Sequence, residues 1–180
     1  MNYSAIKSVD IANGIGVRVS LFVSGCPHHC KGCFNAETWD YDHGEPFTEE
    51  TTNKIIELLK PSWIDGLSLL GGEPLAVRNI IPVTELVKGI KQALPTKTIW
   101  CYTGYVWEEV KSMPIMRYID VLVDGPFIEA EKDISLQFRG SRNQRIIDVQ
   151  KSLATDSVVL WEIEDPGMNH HERRKDHETD

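Results

Sequence analysis

Hydrophobic and polar positions along the chain switch repeatedly between a period of two and a period near 3.6. Val17–Val23 (VRVSLFV) is β-branched and apolar and runs straight into a Gly25-Cys26 turn, which predicts a buried strand. Phe47–Lys60 carries the helical period. Thr52, Ile55, Ile56 and Leu59 share a face, Thr48 is placed to cap, and Glu49 and Glu50 suit the positive end of a helix dipole. Gly66–Leu70 predicts a short strand that stops at Gly71-Gly72. Asn79–Leu94 is helical again, with Val83, Leu86, Val87, Ile90 and Leu94 on one side and Pro82 tolerable only in the first turn. The alternation continues with a strand at Thr98–Tyr102, a short helix at Tyr105–Ser112, and a strand at Ile119–Val123 ending at Asp124-Gly125-Pro126. Two late apolar stretches, Arg145–Val149 and Val158–Trp161, complete the set as strands.

Strand–helix alternation of this kind predicts an α/β fold: a mainly parallel sheet with right-handed crossovers and helices on its outer face. A complete eight-unit barrel typically takes about 250 residues, and the chain has 180. A partial (β/α) barrel or an open curved sheet is therefore expected. In either form, ligands gather at the carboxyl ends of the strands. The cysteine run, Gly71–Pro74, Thr103-Gly104 and Asp124–Phe127 each follow a predicted strand directly. Residues 1–161 form one expected domain without internal repeats. Residues 162–180 hold Ile163 and Met168 as their only apolar side chains, and predict a disordered charged tail in which His170, His171 and His177 are solvated.

Composition narrows the class. Hydrophobic content of 41% and charged content of 26% are those of an ordinary globular domain. The opening MNYSAIKSVD shows no signal-peptide pattern, and no apolar run approaches the length of about 18 residues that a membrane span needs. A soluble, cytoplasmic protein is the expectation. A net charge of −8 argues against a broad nucleic-acid surface. Against that background Arg139–Arg145 (RGSRNQR) places three arginines in seven residues, either a solvated loop or a local basic site.

Three of the four cysteines fall in Cys26-Pro27-His28-His29-Cys30-Lys31-Gly32-Cys33, a C-x3-C-x2-C spacing. Clustered thiols in such a chain point to a soft metal, and zinc and iron–sulfur are the serious candidates. Structural zinc usually takes two ligand pairs and a closed fourth position. Here there is no second pair, and His28 or His29 would have to close the site from inside the same short loop. A four-iron cluster normally takes four cysteines; three leave one iron without a protein ligand, which is the mark of a reactive site. Cys101 lies in the apolar run Ile99–Tyr102 and is expected to be a buried structural thiol. An iron–sulfur cluster is the favoured reading, with a structural zinc module and redox cysteines still open. His28 and His29 are expected beside the site or facing solvent, and Lys31 places a cation near the sulfurs.

The C-x3-C-x2-C run after one strand and Gly71-Gly72-Glu73-Pro74 after the next resemble the radical S-adenosylmethionine superfamily. Asn13–Arg18, Phe22–Cys26 and Cys33-Phe34-Asn35 look like the activating proteins of glycyl-radical enzymes. Tyr102–Tyr105, Val121–Phe127 and Arg139–Arg145 resemble one branch of these, the activators of anaerobic ribonucleotide reductases, and the likeness covers about residues 1–160.

The resemblance implies that Cys26, Cys30 and Cys33 bind a 4Fe-4S cluster whose fourth iron is chelated by S-adenosylmethionine. The cofactor would be held by Gly32, Cys33, Phe34 and Gly71 to Pro74, with Glu73 receiving its ammonium group. The implied partners are the glycine-bearing loop of the large reductase subunit and a flavodoxin-like electron donor. No catalytic residue beyond cluster and cofactor is implied, in keeping with the lack of any His–carboxylate pair placed for acid–base work. Gly32 departs from the superfamily, which often has an aromatic residue there, so adenine contact falls to the Gly32 backbone, to Phe34 or elsewhere. An activator of another glycyl-radical enzyme, such as a formate lyase, is the nearest alternative.

Overall fold

The computed structural model describes residues 1–162. The elements in chain order are β1 (Asn2–Asp10), β2 (Arg18–Val23), β3 (Glu45–Pro46), α1 (Glu49–Leu59), β4 (Gly66–Gly71), α2 (Ile80–Ala93), β5 (Thr98–Tyr102), α3 (Trp107–Val110), β6 (Val121–Asp124), β7 (Arg145–Asp148) and α4 (Val149–Thr155). One seven-stranded sheet runs in the order β3-β1-β2-β4-β5-β6-β7. Its four central strands are parallel and its flanks antiparallel. This is the open, curved α/β sheet that the alternation predicts. Residues 163–180, including His170, His171 and His177, lie outside the described residues. No helix among the described residues is long and apolar enough to cross a membrane.

Local chemistry explains the outer helices. Thr48 caps α1: its Oγ1 accepts from the Thr51 N–H, while Thr51 Oγ1 accepts from the Thr48 N–H. The buried stripe is Thr51, Ile55 and Leu59, so Thr51 takes the place expected of Thr52, which is half-exposed. In α2, Pro82 falls at the third helical position, where no intrahelical N–H bond is lost, and Val83, Leu86, Val87 and Ile90 are buried. These side chains pack on Val19, Leu21, Val23, Leu67, Leu69, Ile99 and Cys101 from one face of the sheet.

The edges of the sheet differ from expectation. Strand β1 carries no clean alternation; it is held by pairing with β2 through two irregular steps. Strand β7 pairs antiparallel with β6, Asp124 opposite Arg145, because residues 125–144 return the chain along the same edge instead of crossing over as a helix. Arg145–Val149 was expected as one strand. It ends at Asp148, whose side chain accepts from the Lys151 N–H and starts α4. Val158–Trp161 forms only an isolated bridge, Leu160 opposite Ile147. The predicted Tyr105–Ser112 helix shortens to the single turn of α3.

The sheet face away from the helices carries Trp100, Val121, Val123 and Ile146, with Tyr102, Phe138 and Trp161 packed on them. Arg18 is buried there, with 1% exposure. Its Nε donates to Ser68 Oγ, Nη1 to Ile15 O and Thr98 Oγ1, and Nη2 to Leu67 O and Thr98 O. One guanidinium thus stitches β2, β4 and β5 together, lying over the Trp100 ring at 5.6 Å. Burial draws its pKa down to about 10, which leaves it charged at neutral pH. An ammonium on a flexible stem cannot reproduce this planar fork. Arg18→Lys is expected to lower stability by about 2–4 kcal/mol through orphaned buried acceptors, checked by the urea midpoint at pH 7 with the slope unchanged.

Candidate functional site

The carboxyl ends of β2, β4, β5 and β6 meet around a cavity of about 370 Å³. The chain leaves β2 through Gly25, where the Gly25 and Cys26 N–H groups donate to Thr38 O and Trp39 O. That pins the root of the cysteine loop to the 3-10 turn Ala36–Trp39. Within the loop the Cys33 N–H closes on Cys30 O at 3.1 Å, and the Asn35 N–H points at Cys33 Sγ at 3.4 Å. Cys26, Cys30 and Cys33 are free, half-buried thiols, and all three line the cavity. Burial pushes the Cys26 thiol up, opposed by the backbone N–H groups of His28 and His29 and reinforced by the negative charge of Glu73. Cys101 lies on the other side of the sheet, fully buried in the helix-side core, and burial raises its pKa far above the ordinary thiol value.

The second wall is the turn after β4. Gly71 has φ of +104°, and a Cβ there would lie 2.7 Å from Val23 O, so only glycine lets β4 close against β2 at this point. Glu73 follows with no exposed surface. Its Oε1 accepts from the Leu75 N–H at 2.9 Å and Thr103 Oγ1 at 2.8 Å. Its Oε2 accepts from the Gly104 N–H at 2.8 Å and meets His28 Nε2 at 2.9 Å. A His–carboxylate pair therefore exists where the sequence suggested none. Two partners on each oxygen fill the carboxylate, however, so it is a poor candidate for a general base.

The third wall is the segment between β6 and β7. Phe127 meets Phe34 at 5.2 Å between ring centroids, Lys132 lies over the Phe34 ring, and Glu129 pairs with Lys31 at 3.1 Å. Phe138 reaches across the sheet to Trp100 at 5.4 Å. The three arginines of Arg139–Arg145 go three ways. Arg145 binds buried Asp124 and Glu108, which hold its pKa up. Arg142 is exposed and pairs with Asp133, whose carboxyl is drawn down to about 2 by Ser135 and Arg142. Arg139 lines the cavity, its Nη1 donating to Gln144 O.

Of the residues expected around a cofactor, Cys33, Phe34, Gly71, Gly72 and Glu73 line the cavity; Gly32 and Pro74 do not. Sequence reasoning missed Asn13, Tyr102, Leu136 and Phe138 in the lining. Tyr102 had a readable signal, since its neighbour Cys101 faces the helices and a strand alternates. Its hydroxyl is buried without a hydrogen-bond partner among the described residues.

Among the described residues no three His, Cys, Asp or Glu side chains converge as a single-ion site. Three thiols on one cavity could each supply a sulfur to one iron of an iron–sulfur cluster. Comparison with known proteins agrees. The family described as a 4Fe-4S single cluster domain matches residues 12–147, which contain all three cysteines. Over 150 residues the chain is 46% identical to the anaerobic ribonucleoside-triphosphate reductase-activating protein of Vibrio cholerae serotype O1, covering 81% of this chain and 97% of that protein. The proteins of the same name from Enterobacteria phage T4 and Escherichia coli K12 are 42% and 45% identical over 148 residues, spanning 93% and 96% of their lengths.

The chain belongs to the family of anaerobic ribonucleoside-triphosphate reductase-activating proteins. The matched family is described by a single 4Fe-4S cluster, and the stretch it matches contains the three thiols that line the cavity. The likeness to the branch drawn from Tyr102–Tyr105 and Arg139–Arg145 now has a spatial basis, since both segments contribute to that cavity.

Burial pushes the Tyr102 phenol well above its ordinary value near 10. The folded state holds this proton more tightly than the unfolded chain does. The associated stability is complete below about pH 10 and is lost as pH rises beyond it. Tyr102→Phe should remove that contribution. Urea midpoints at pH 9 and 10.5 are expected to fall further apart for the native protein than for the variant.

Proposed function

We propose that this chain activates an anaerobic ribonucleotide reductase by radical S-adenosylmethionine chemistry, as an oxidoreductase of the cytoplasm. The observation that carries the reading is the three-thiol wall facing a cavity it shares with the Gly71–Glu73 turn. When bound, a 4Fe-4S cluster and S-adenosylmethionine supply a one-electron cleavage whose 5′-deoxyadenosyl radical takes a hydrogen atom from a glycine of the reductase. Cys26, Cys30 and Cys33 would hold the cluster, each supplying a thiolate to one iron. The Asn35 N–H aimed at Cys33 Sγ stabilises charge on that sulfur.

Gly71 and Gly72 let the cofactor approach the backbone closely. Glu73 holds that turn in shape through its four partners, and Pro74 fixes the chain behind it. Phe34, backed by Phe127, offers an apolar face for the adenine, with Gly32 contributing only backbone. Tyr102 and Arg139 present a hydroxyl and a cation to polar groups of the ligands. The glycine-bearing loop of the large reductase subunit enters the same cavity, and a flavodoxin-like protein supplies the electron.

The decisive experiment is anaerobic. Dithionite-reduced protein incubated with S-adenosylmethionine is expected to form equal amounts of 5′-deoxyadenosine and methionine. Alanine at Cys26, Cys30 or Cys33 should abolish both products, whereas Cys101→Ser should retain full iron and sulfide. Zinc in place of iron in oxygen-free material would sink this reading.

The arginines give a second test, with glycyl radical counted by electron paramagnetic resonance. Arg139→Ala should lower the yield about tenfold or more, the scale of one lost charge-assisted contact. Arg142→Ala, which removes only an exposed pair, should leave it within about twofold.

A further inference from the structure

His28 sits midway between Cys26 and Cys30, and three features of the fold form a seat for its ring. The first is Glu73, whose buried Oε2 lies 2.9 Å from His28 Nε2. The second is Gly104. A Cβ at that position would come within 2.5 Å of His28 Cδ2 and 2.7 Å of Nε2, so glycine is required here for space. The third is Tyr105, which meets the imidazole edge-on at 4.5 Å and 72°. Neighbouring His29 has no such seat and stacks on Trp39 at the surface.

The four partners of the Glu73 carboxylate divide unequally, apart from the backbone bond of the Glu73 N–H to Gly25 O. Leu75, Thr103 and Gly104 belong to the loops that follow β4 and β5 and are fixed by the sheet. His28 alone comes from the loop that carries the thiols. We infer that His28 is a positioning residue: a latch that fixes the Cys26–Cys33 loop against the Gly71–Glu73 turn, so that the protein rather than the metal sets where the sulfurs stand relative to the cofactor. The inference deepens the proposed function and rests on it for the cofactor's identity. The latch needs only the hydrogen bond between His28 Nε2 and the carboxylate; no proton moves.

The latch predicts a separation of metal loading from cofactor binding. In His28→Ala the three thiols remain, so iron and sulfide should stay near wild-type content. The dissociation constant for S-adenosylmethionine should rise about 10–100-fold, the usual effect of removing a group that orients a metal site from outside its ligands. The change that S-adenosylmethionine causes in the paramagnetic resonance spectrum of the reduced cluster should then need correspondingly more cofactor. Gly104→Ala, which fills the notch and leaves His28 in the sequence, should behave the same way. His28→Gln, which can still donate to Glu73, should recover part of the affinity.

Metal-free protein gives a reading independent of the cofactor. Amides of residues 26–33 should exchange with deuterium several-fold faster in both Ala variants than in the native chain. Unchanged exchange would overturn the latch, whatever the protein does with S-adenosylmethionine. So would tighter cofactor binding by His28→Ala, since the ring would then be occupying the cofactor's place. Loss of S-adenosylmethionine cleavage by the native protein, with the exchange difference intact, would overturn the proposed function and leave the latch standing.

Discussion

A carboxylate with no exposed surface must find partners for both oxygens inside the protein, because leaving a buried charge unsatisfied costs several kcal/mol. At Glu73 that requirement gathers three loops. The turn after β4, the Thr103-Gly104 turn after β5 and the thiol-bearing loop after β2 all end on one carboxylate. Parallel strands deliver their carboxyl ends to the same edge of a sheet, but they do not hold the following loops in register with one another. Glu73 does so here. The negative charge has a further effect on the site, since it adds to burial in raising the Cys26 thiol and the Tyr105 phenol. This arrangement favours thiol over thiolate at Cys26.

Much of this was legible in the sequence, for local reasons. Val17–Val23, Gly66–Leu70 and Thr98–Tyr102 are short apolar runs that end in turn residues, and each is a central strand. The α1 and α2 stripes followed from the helical period and from Thr48 and Pro82. The cysteine spacing announced its chemistry because three thiols so close together have few other uses. What could not be read was set by distant partners. Strand β1 owes its existence to pairing with β2, and β7 owes its direction to residues 125–144, which contain no helix long enough to cross the sheet.

The site shows the same division. The thiols and Gly71-Gly72-Glu73 stand out in their own segments and line the cavity while Pro74 does not, whereas His28 and Gly104 acquire meaning only as neighbours, 76 residues apart in the chain. Arg139, Arg142 and Arg145 look equivalent in a basic stretch, yet Arg145 answers a buried Asp124, Arg142 a half-buried Asp133, and only Arg139 lines the cavity. Charge patterning located the segment correctly. It could not distribute the roles, because these depend on which carboxylates the fold brings opposite each side chain.

Strand periodicity decides the fate of the two candidate groups at the end of β5. Cys101 and Tyr102 are adjacent, so they project to opposite faces. Cys101 enters the helix-side core, where burial keeps its thiol protonated and away from the cavity that the other three thiols line. Tyr102 enters the face that carries Arg18 and Trp100, where its phenol is held protonated beside the cavity. Arg18 is charged on that same face yet has all five donors engaged by neutral oxygens, so it has none left for a ligand. The face thus carries a cation committed to the sheet and a buried phenol beside the cavity. A single-residue shift of β5 would reverse this arrangement, sending the thiol to the cavity side and the phenol into the core. Register on β4 prevents the shift: Gly66 lies opposite Thr98 so closely that a Cβ would strike its carbonyl oxygen, and the Arg18 fork grips that same carbonyl.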